Sequence, residues 1–235
     1  MWRNLLAIGL IMATLGARAQ ELRIDAPRRV VELFTSQGCD SCPPADAYLG
    51  ELTKREGLLA LSLHVDYWNH LGWVDLFSSP LYAKRQRDYG QAWRARNVYT
   101  PQIVVDGRTG LVGSDRRAIE RALETPPAQA GPAMELAKDA DGRWWLKLAA
   151  ASIERPATVW RVIYSPREEV QIARGENAGK KLTYHNVVRS WDAIGRYEGQ
   201  AIALPLMMDE AQPCALLVQE EGAGAILAAL RVSPN

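Results

Sequence analysis

Two cysteines three residues apart, Cys39 and Cys42, follow an apolar run (Val30, Val31, Leu33, Phe34) and precede Pro43-Pro44 at the start of a helical pattern. At such a corner the macrodipole and free N–H groups of a helix start favour a thiolate, which is the nucleophile of thiol–disulfide exchange. The first cysteine is expected to be the exposed, attacking one and Cys42 the resolving one. Two other uses of the pair stay open: a purely structural disulfide, or half of a metal site. His64, Asp66 and His70 are the side chains that could complete the latter, since two thiolates and an imidazole suit a soft ion such as Cu(I). Nothing in the chain calls for a cofactor.

Further candidates lie around this pair. Thr100-Pro101 opens a later apolar run, either as an ordinary trans proline on an edge strand or as a cis bond in a tight turn, and the cis form is the one expected. Glu32 interrupts the apolar strand before the cysteines. A buried carboxylate there could take the proton of the resolving thiol, whereas a solvent-facing or salt-bridged one would do nothing chemical. Asp66, Trp68, Gly72, Trp73 and Asp75 fall in an aromatic-rich loop and are expected to line a cleft beside the dithiol, and Thr100 is expected to belong to the same substrate groove. Arg174-Gly175-Glu176-Asn177, with Asn186 and Arg189, is a dense polar cluster that reads as a solvated hairpin. Cys214, between Pro213 and Ala215, reads as a small buried hydrophobe.

The elements that must position these residues follow from periodicity. Arg29–Phe34 and Leu58–Val65 read as buried strands, with a helix between them that starts at Pro43 and stops at Gly57. Ser79-Pro80 opens a second helix. Asp106-Gly107 joins Ile103–Val105 to Leu111–Val112 as a hairpin, and Ser114-Asp115 caps a last helix through Leu123. Thr125–Pro132 is a linker by composition. Beyond it only short strands are expected: Met134–Leu136, Trp144–Leu148, Thr158–Tyr164, Val170–Ala173, Leu182–Trp191, Gln200–Leu204, Ala215–Gln219 and Ile226–Arg231. Their spacing suggests an antiparallel sandwich.

The N-terminus reads as an export signal. Arg3 precedes an apolar run, Leu5–Leu15, too short to anchor in a bilayer, and Ala17-Arg18-Ala19 has the form cleaved after Ala19. The expected domains are therefore a signal peptide at 1–19, an α/β unit at 26–124, a linker at 125–132 and a β-rich unit at 133–235. The expected location is periplasmic or secreted. Removing Arg3 and Arg18 leaves 26 of the 28 basic residues against 27 acidic ones. That balance gives no footprint for nucleic acid or an anionic membrane surface, and no later stretch is long enough to span a membrane.

The stretches Val31–Cys39, Cys42-Pro43-Pro44-Ala45-Asp46, His64-Val65-Asp66-Tyr67-Trp68 and Tyr99-Thr100-Pro101-Gln102 resemble a secreted thioredoxin-like family catalogued as domain of unknown function 1223. Arg174–Asn177 and Asn186–Arg189 resemble its C-terminal signature. The resemblance runs from Arg29 to the C-terminus and implies a thioredoxin-like fold with a C-terminal antiparallel, sandwich-like extension. It places Pro101 against the dithiol and makes exported protein thiols, or a redox partner protein, the expected partners. Ordinary thioredoxins carry Trp-Cys-Gly-Pro-Cys; here Gly38 precedes Cys39 and Asp40 lies between the cysteines. Losing the Trp and adding a carboxylate weakens thiolate stabilisation. Copper-carrying relatives have three residues between their cysteines, which counts against copper here.

Overall fold

The computed structural model describes residues 22–126 and 131–235; the expected signal peptide lies outside them, as do residues 127–130 of the expected linker. The elements in chain order are β1 (Leu22–Asp25), β2 (Arg29–Thr35), α1 (Pro43–Leu52), β3 (Leu58–His64), α2 (Pro80–Ala92), β4 (Gln102–Val105), β5 (Thr109–Val112) and α3 (Arg116–Glu124). Then follow β6 (Met134–Lys138), β7 (Trp144–Leu148), β8 (Ala157–Gln171), β9 (Lys181–Tyr197), β10 (Ile202–Leu206), β11 (Cys214–Glu220) and β12 (Ile226–Pro234). The fold is mixed α/β. Two of its helices, α2 and α3, start at a side-chain cap. Ser79 accepts from the Leu81 N–H ahead of Pro80, and Asp115 accepts from the Ala118 N–H. The β4–β5 turn needs left-handed backbone at both Asp106 (φ 50°) and Gly107 (φ 67°), which the Asp-Gly pair tolerates.

Nine strands form one sheet in the order β1-β12-β11-β8-β9-β3-β2-β4-β5. β2 and β3 run parallel, β4 lies antiparallel on the other edge of β2, and β5 closes that side. On its far side β3 meets β9 in parallel at Ser62–Val187. Beside that joint Asn186, at a φ of 46° that Asn accepts more readily than most residues, donates its side-chain amide to the Ala60 carbonyl at 2.8 Å. Residues 133–235, expected as a separate unit, thus supply four strands of the sheet that carries the dithiol. Phe34, Leu61, Leu63 and Tyr89 share one apolar cluster with Val162, Val188 and Leu217. The expected strand Val170–Ala173 is not separate either: its first residues are the end of the long β8.

Strand alternation sorts the core into faces. Val31, Leu33, Ile103 and Val105 pack under α1 and α3, whereas Val30, Phe34 and Val104 pack on the opposite face against α2. A second sheet, β10-β7-β6, covers the other end of the large one. Its Leu146, Leu148 and Leu206 pack on Val159, Leu216 and Val218.

Candidate functional site

Cys39 and Cys42 are joined as a disulfide at the mouth of α1. The Cys42 carbonyl takes the first amides of the helix, from Ala45 and Asp46. Pro43 and Pro44 have no N–H, so two of the donors a helix start normally offers are missing here. Ser41 Oγ lies 3.4 Å from Cys39 Sγ. The turn before the pair is fixed by Asp75, whose carboxylate accepts from the Gln37 N–H at 2.7 Å, and by Ser36, whose hydroxyl accepts from the Gly38 N–H. The expectation that Cys39 is exposed does not hold: it is 1% exposed and Cys42 0%.

The residues expected to form the groove do converge. Thr100–Pro101 is a cis bond. A side chain at Gly113 would collide with Pro101 and crowd Ala45 of α1 and Leu33 of β2, so the proline loop and the first turn of the dithiol helix meet around this glycine. Trp68 donates its indole N–H to the Thr100 hydroxyl at 2.8 Å and passes over Gly38, where a Cβ would be 3.2 Å from that of Trp68. Trp73 donates to the Gln37 side-chain carbonyl at 2.8 Å. Asp66 is half-buried in the same loop. Leu71, Val74 and Leu76, all exposed, continue it.

Beneath the dithiol lies a buried polar group that sequence reasoning largely missed. Asp46 sits four residues after Cys42, on the same face of α1, and is 5% exposed. Neither of its carboxylate oxygens has a hydrogen bond of ordinary geometry among the described residues, although the Thr35 hydroxyl is close enough to favour the charged form. Burial pushes it up to about 7, outweighing the pull of the His64 imidazole. His64 is itself fully buried and is hydrogen-bonded through Nδ1 to the Asp75 carboxylate at 2.7 Å, while its Nε2 has no partner among the described residues. Burial would raise Asp75, but His64 and the amides of Gln37 and Phe77 hold it below the usual carboxylate range. Asp46 also lines a cleft of about 400 Å³ between α1 and the β8–β9 ribbon, with Lys54, Arg167 and His185 on its walls. The spacing that could have exposed it is the i, i+4 step from Cys42.

Glu32 is not part of this group. It is 0% exposed on the α2 face, opposite α1, with Arg85 Nε 2.6 Å from one oxygen and the Tyr89 hydroxyl donating to the other at 2.6 Å. Gln219 of β11 donates to that tyrosine. The salt-bridged alternative is the one realised. Among the described residues no three His, Cys, Asp or Glu side chains are grouped to hold a metal ion, and His70 is exposed. Cys214 is free and buried, and burial pushes its thiol up to about 11.

The polar cluster 174–177 departs most from its expectation. Asn177 is fully buried, and its side-chain amide donates to the backbone carbonyls of Gln37 at 3.0 Å and Cys39 at 2.8 Å. The tip of the β8–β9 ribbon therefore rests on the dithiol loop. A solvated hairpin and a docked one have the same turn residues, so nothing local distinguished them.

Comparison with other proteins gives two findings. Residues 30–219 match the profile of a family described as "Protein of unknown function (DUF1223)". A crystal structure of a protein from Agrobacterium tumefaciens, solved by a structural genomics consortium, is 30% identical in sequence. It superposes with a TM-score of 0.72 over 90% of this chain and 96% of that one. No curated protein matches the chain.

Proposed function

The chain belongs to the DUF1223 family, and from the geometry of its dithiol we propose that it is a thioredoxin-like thiol–disulfide oxidoreductase exported to the periplasm or beyond. The observation that carries the reading is the paired Cys39 and Cys42 at the mouth of a helix whose first turn borders Gly113 together with Pro101. A structural disulfide has no need of that proline loop. The parallel β2–β3 pair, the antiparallel β4–β5 hairpin and helices on both faces support the thioredoxin-like part of the reading. The apolar start of the sequence supports export.

In the oxidised protein a substrate thiolate attacks Cys39 Sγ, and the Cys39–Cys42 bond breaks. Cys42 leaves as a thiolate and takes a proton; Asp46, one turn along the same helix face and with a pKa of about 7, is the group suited to supply it. A second substrate thiolate attacks the substrate sulfur of the mixed disulfide and releases Cys39. The substrate leaves oxidised by two electrons and the protein holds two thiols; the reverse sequence reduces a substrate disulfide. Trp68, Trp73, Thr100 and Asp66 form the groove, and the exposed Leu71, Val74 and Leu76 suit apolar stretches of incompletely folded exported proteins.

The test is thiol exchange with a model peptide by the mature protein, with Cys39→Ser and Cys42→Ser alongside. Exchange lost in Cys39→Ser, with a trapped mixed disulfide in Cys42→Ser, is the expected result. A couple with a reduction potential below about −300 mV, and no trapped species, would show the bond to be structural.

A further inference from the structure

Both cysteines of the pair are buried, and the loop that carries them is bonded by a segment from the far end of the chain. The segment linking β8 to β9 folds back as a compact turn, with the Ala178 N–H on the Gly175 carbonyl and the Gly179 N–H on the Ile172 carbonyl. Asn177 at its centre is 0% exposed. Its amide bridges the carbonyls of Gln37 and Cys39, 140 and 138 residues away, and its own oxygen accepts from Lys180 Nζ at 2.8 Å. Gly175 allows the close fit: it holds a φ of 78°, and a Cβ there would stand 3.2 Å from Trp73 Cβ. Trp73 in turn is bonded to Gln37. The dithiol loop is thus held from two sides, by the aromatic loop of the first half and by this turn of the second.

We infer that Asn177 is a positioning residue that gates the dithiol: while its amide holds the two carbonyls the sulfurs are shut in, and lifting of the turn is the step that admits a thiol. The base of the ribbon is secured by the long β8–β9 ladder and by Ile172 packed with Trp73 and Phe77, whereas among the described residues the turn's hydrogen bonds to the dithiol loop come from one side chain, Asn177. Such a segment opens locally, well below the free energy of global unfolding. The amide donates, so it leaves the carbonyls of Gln37 and Cys39 satisfied when closed and returns them to water when open. The inference rests on reading the dithiol as a reactive site, and its consequence is regulatory: a partner able to displace the turn gains access that a passing thiol does not.

The test is the rate at which dithiothreitol reduces the Cys39–Cys42 bond in the mature protein, read by alkylation and mass, with urea unfolding measured in parallel. In the wild type, reduction should be slow and nearly independent of urea at low concentrations, as local opening requires. Asn177→Ala should speed it at least tenfold at matched global stability, and Asn177→Asp, which removes the donors at the same size, should do likewise. If either variant fails to fold, Gly175→Ala, strained at its φ and crowded by Trp73, gives the same reading. A rate within twofold of wild type, or an acceleration that disappears at matched stability, overturns the gate. Peptide exchange separates this from the redox proposal. Fast reduction of Asn177→Ala without exchange by any form keeps the gate and removes the oxidoreductase. Exchange with unaltered reduction rates removes the gate alone.

Discussion

Asp46 is the residue whose behaviour should be most visible in solution. Its pKa of about 7 against an ordinary 3.8 means that folding favours the protonated form. Below about pH 4 the group is protonated in the folded and the unfolded chain alike, and it costs nothing. From there to about 7 the unfolded chain ionises first, so stability falls with rising pH; above that the penalty is constant. Asp46→Asn should therefore match wild type near pH 4 and exceed it near pH 8, by as much as about 4 kcal/mol. Urea midpoints at the two pH values check this, and a gap that does not widen would mean that folding leaves the pKa of Asp46 where it is in the unfolded chain. The closeness of Cys39 and Cys42 was legible from their spacing, because two cysteines three apart at one turn can pair. Asp46 was not, since an acidic residue in a first helical turn usually serves the macrodipole from outside. Here it points inward.

Glu32 makes the corresponding point for elements. Through Arg85 and Tyr89 it fastens β2 to α2, and through Gln219 it reaches β11. Arg85 also lies 3.8 Å over the Trp191 ring of β9. Removing one partner of a buried pair leaves the other charge uncompensated, so Glu32→Gln should cost about 3–5 kcal/mol. The same variant should leave the chemical reduction rate of the dithiol unchanged once stability is matched. A specific loss of exchange in a well-folded Glu32→Gln would restore the proton-shuttle role that its surroundings argue against. The helices and the β4–β5 hairpin were readable because their signals are local: Ser79, Pro80, Asp106-Gly107 and Asp115 each act within a few residues. The β8–β9 ribbon was readable only in pieces. Its bulges at Val159/Trp160 and Ile163/Tyr164 and the polar run Arg167–Glu169 break the alternation that would mark one 15-residue strand.

At the scale of the molecule, the composition break at residues 125–132 suggested two units, and strand order joins them. No local pattern could have announced this, because a strand's neighbour across a sheet is set by the whole topology. With β9 seated on β3 and α2 packed against Tyr164 and Val188, residues 22–126 expressed alone would expose Phe34, Leu61, Leu63 and Tyr82. That fragment should show no cooperative thermal transition and should aggregate; a sharp melt of a monomer, by circular dichroism and gel filtration, would show that the first half is self-sufficient. The β3–β9 joint also sets a clock. β3 is buried at every position, yet the residue that bonds its Ala60 carbonyl lies 126 positions further on. A ribosome must therefore make most of the chain before that edge has a partner, and folding through so distant a pairing is slow. During that interval the nascent polypeptide carries an unpaired sheet edge, the condition in which a strand is most open to pairing with the wrong chain.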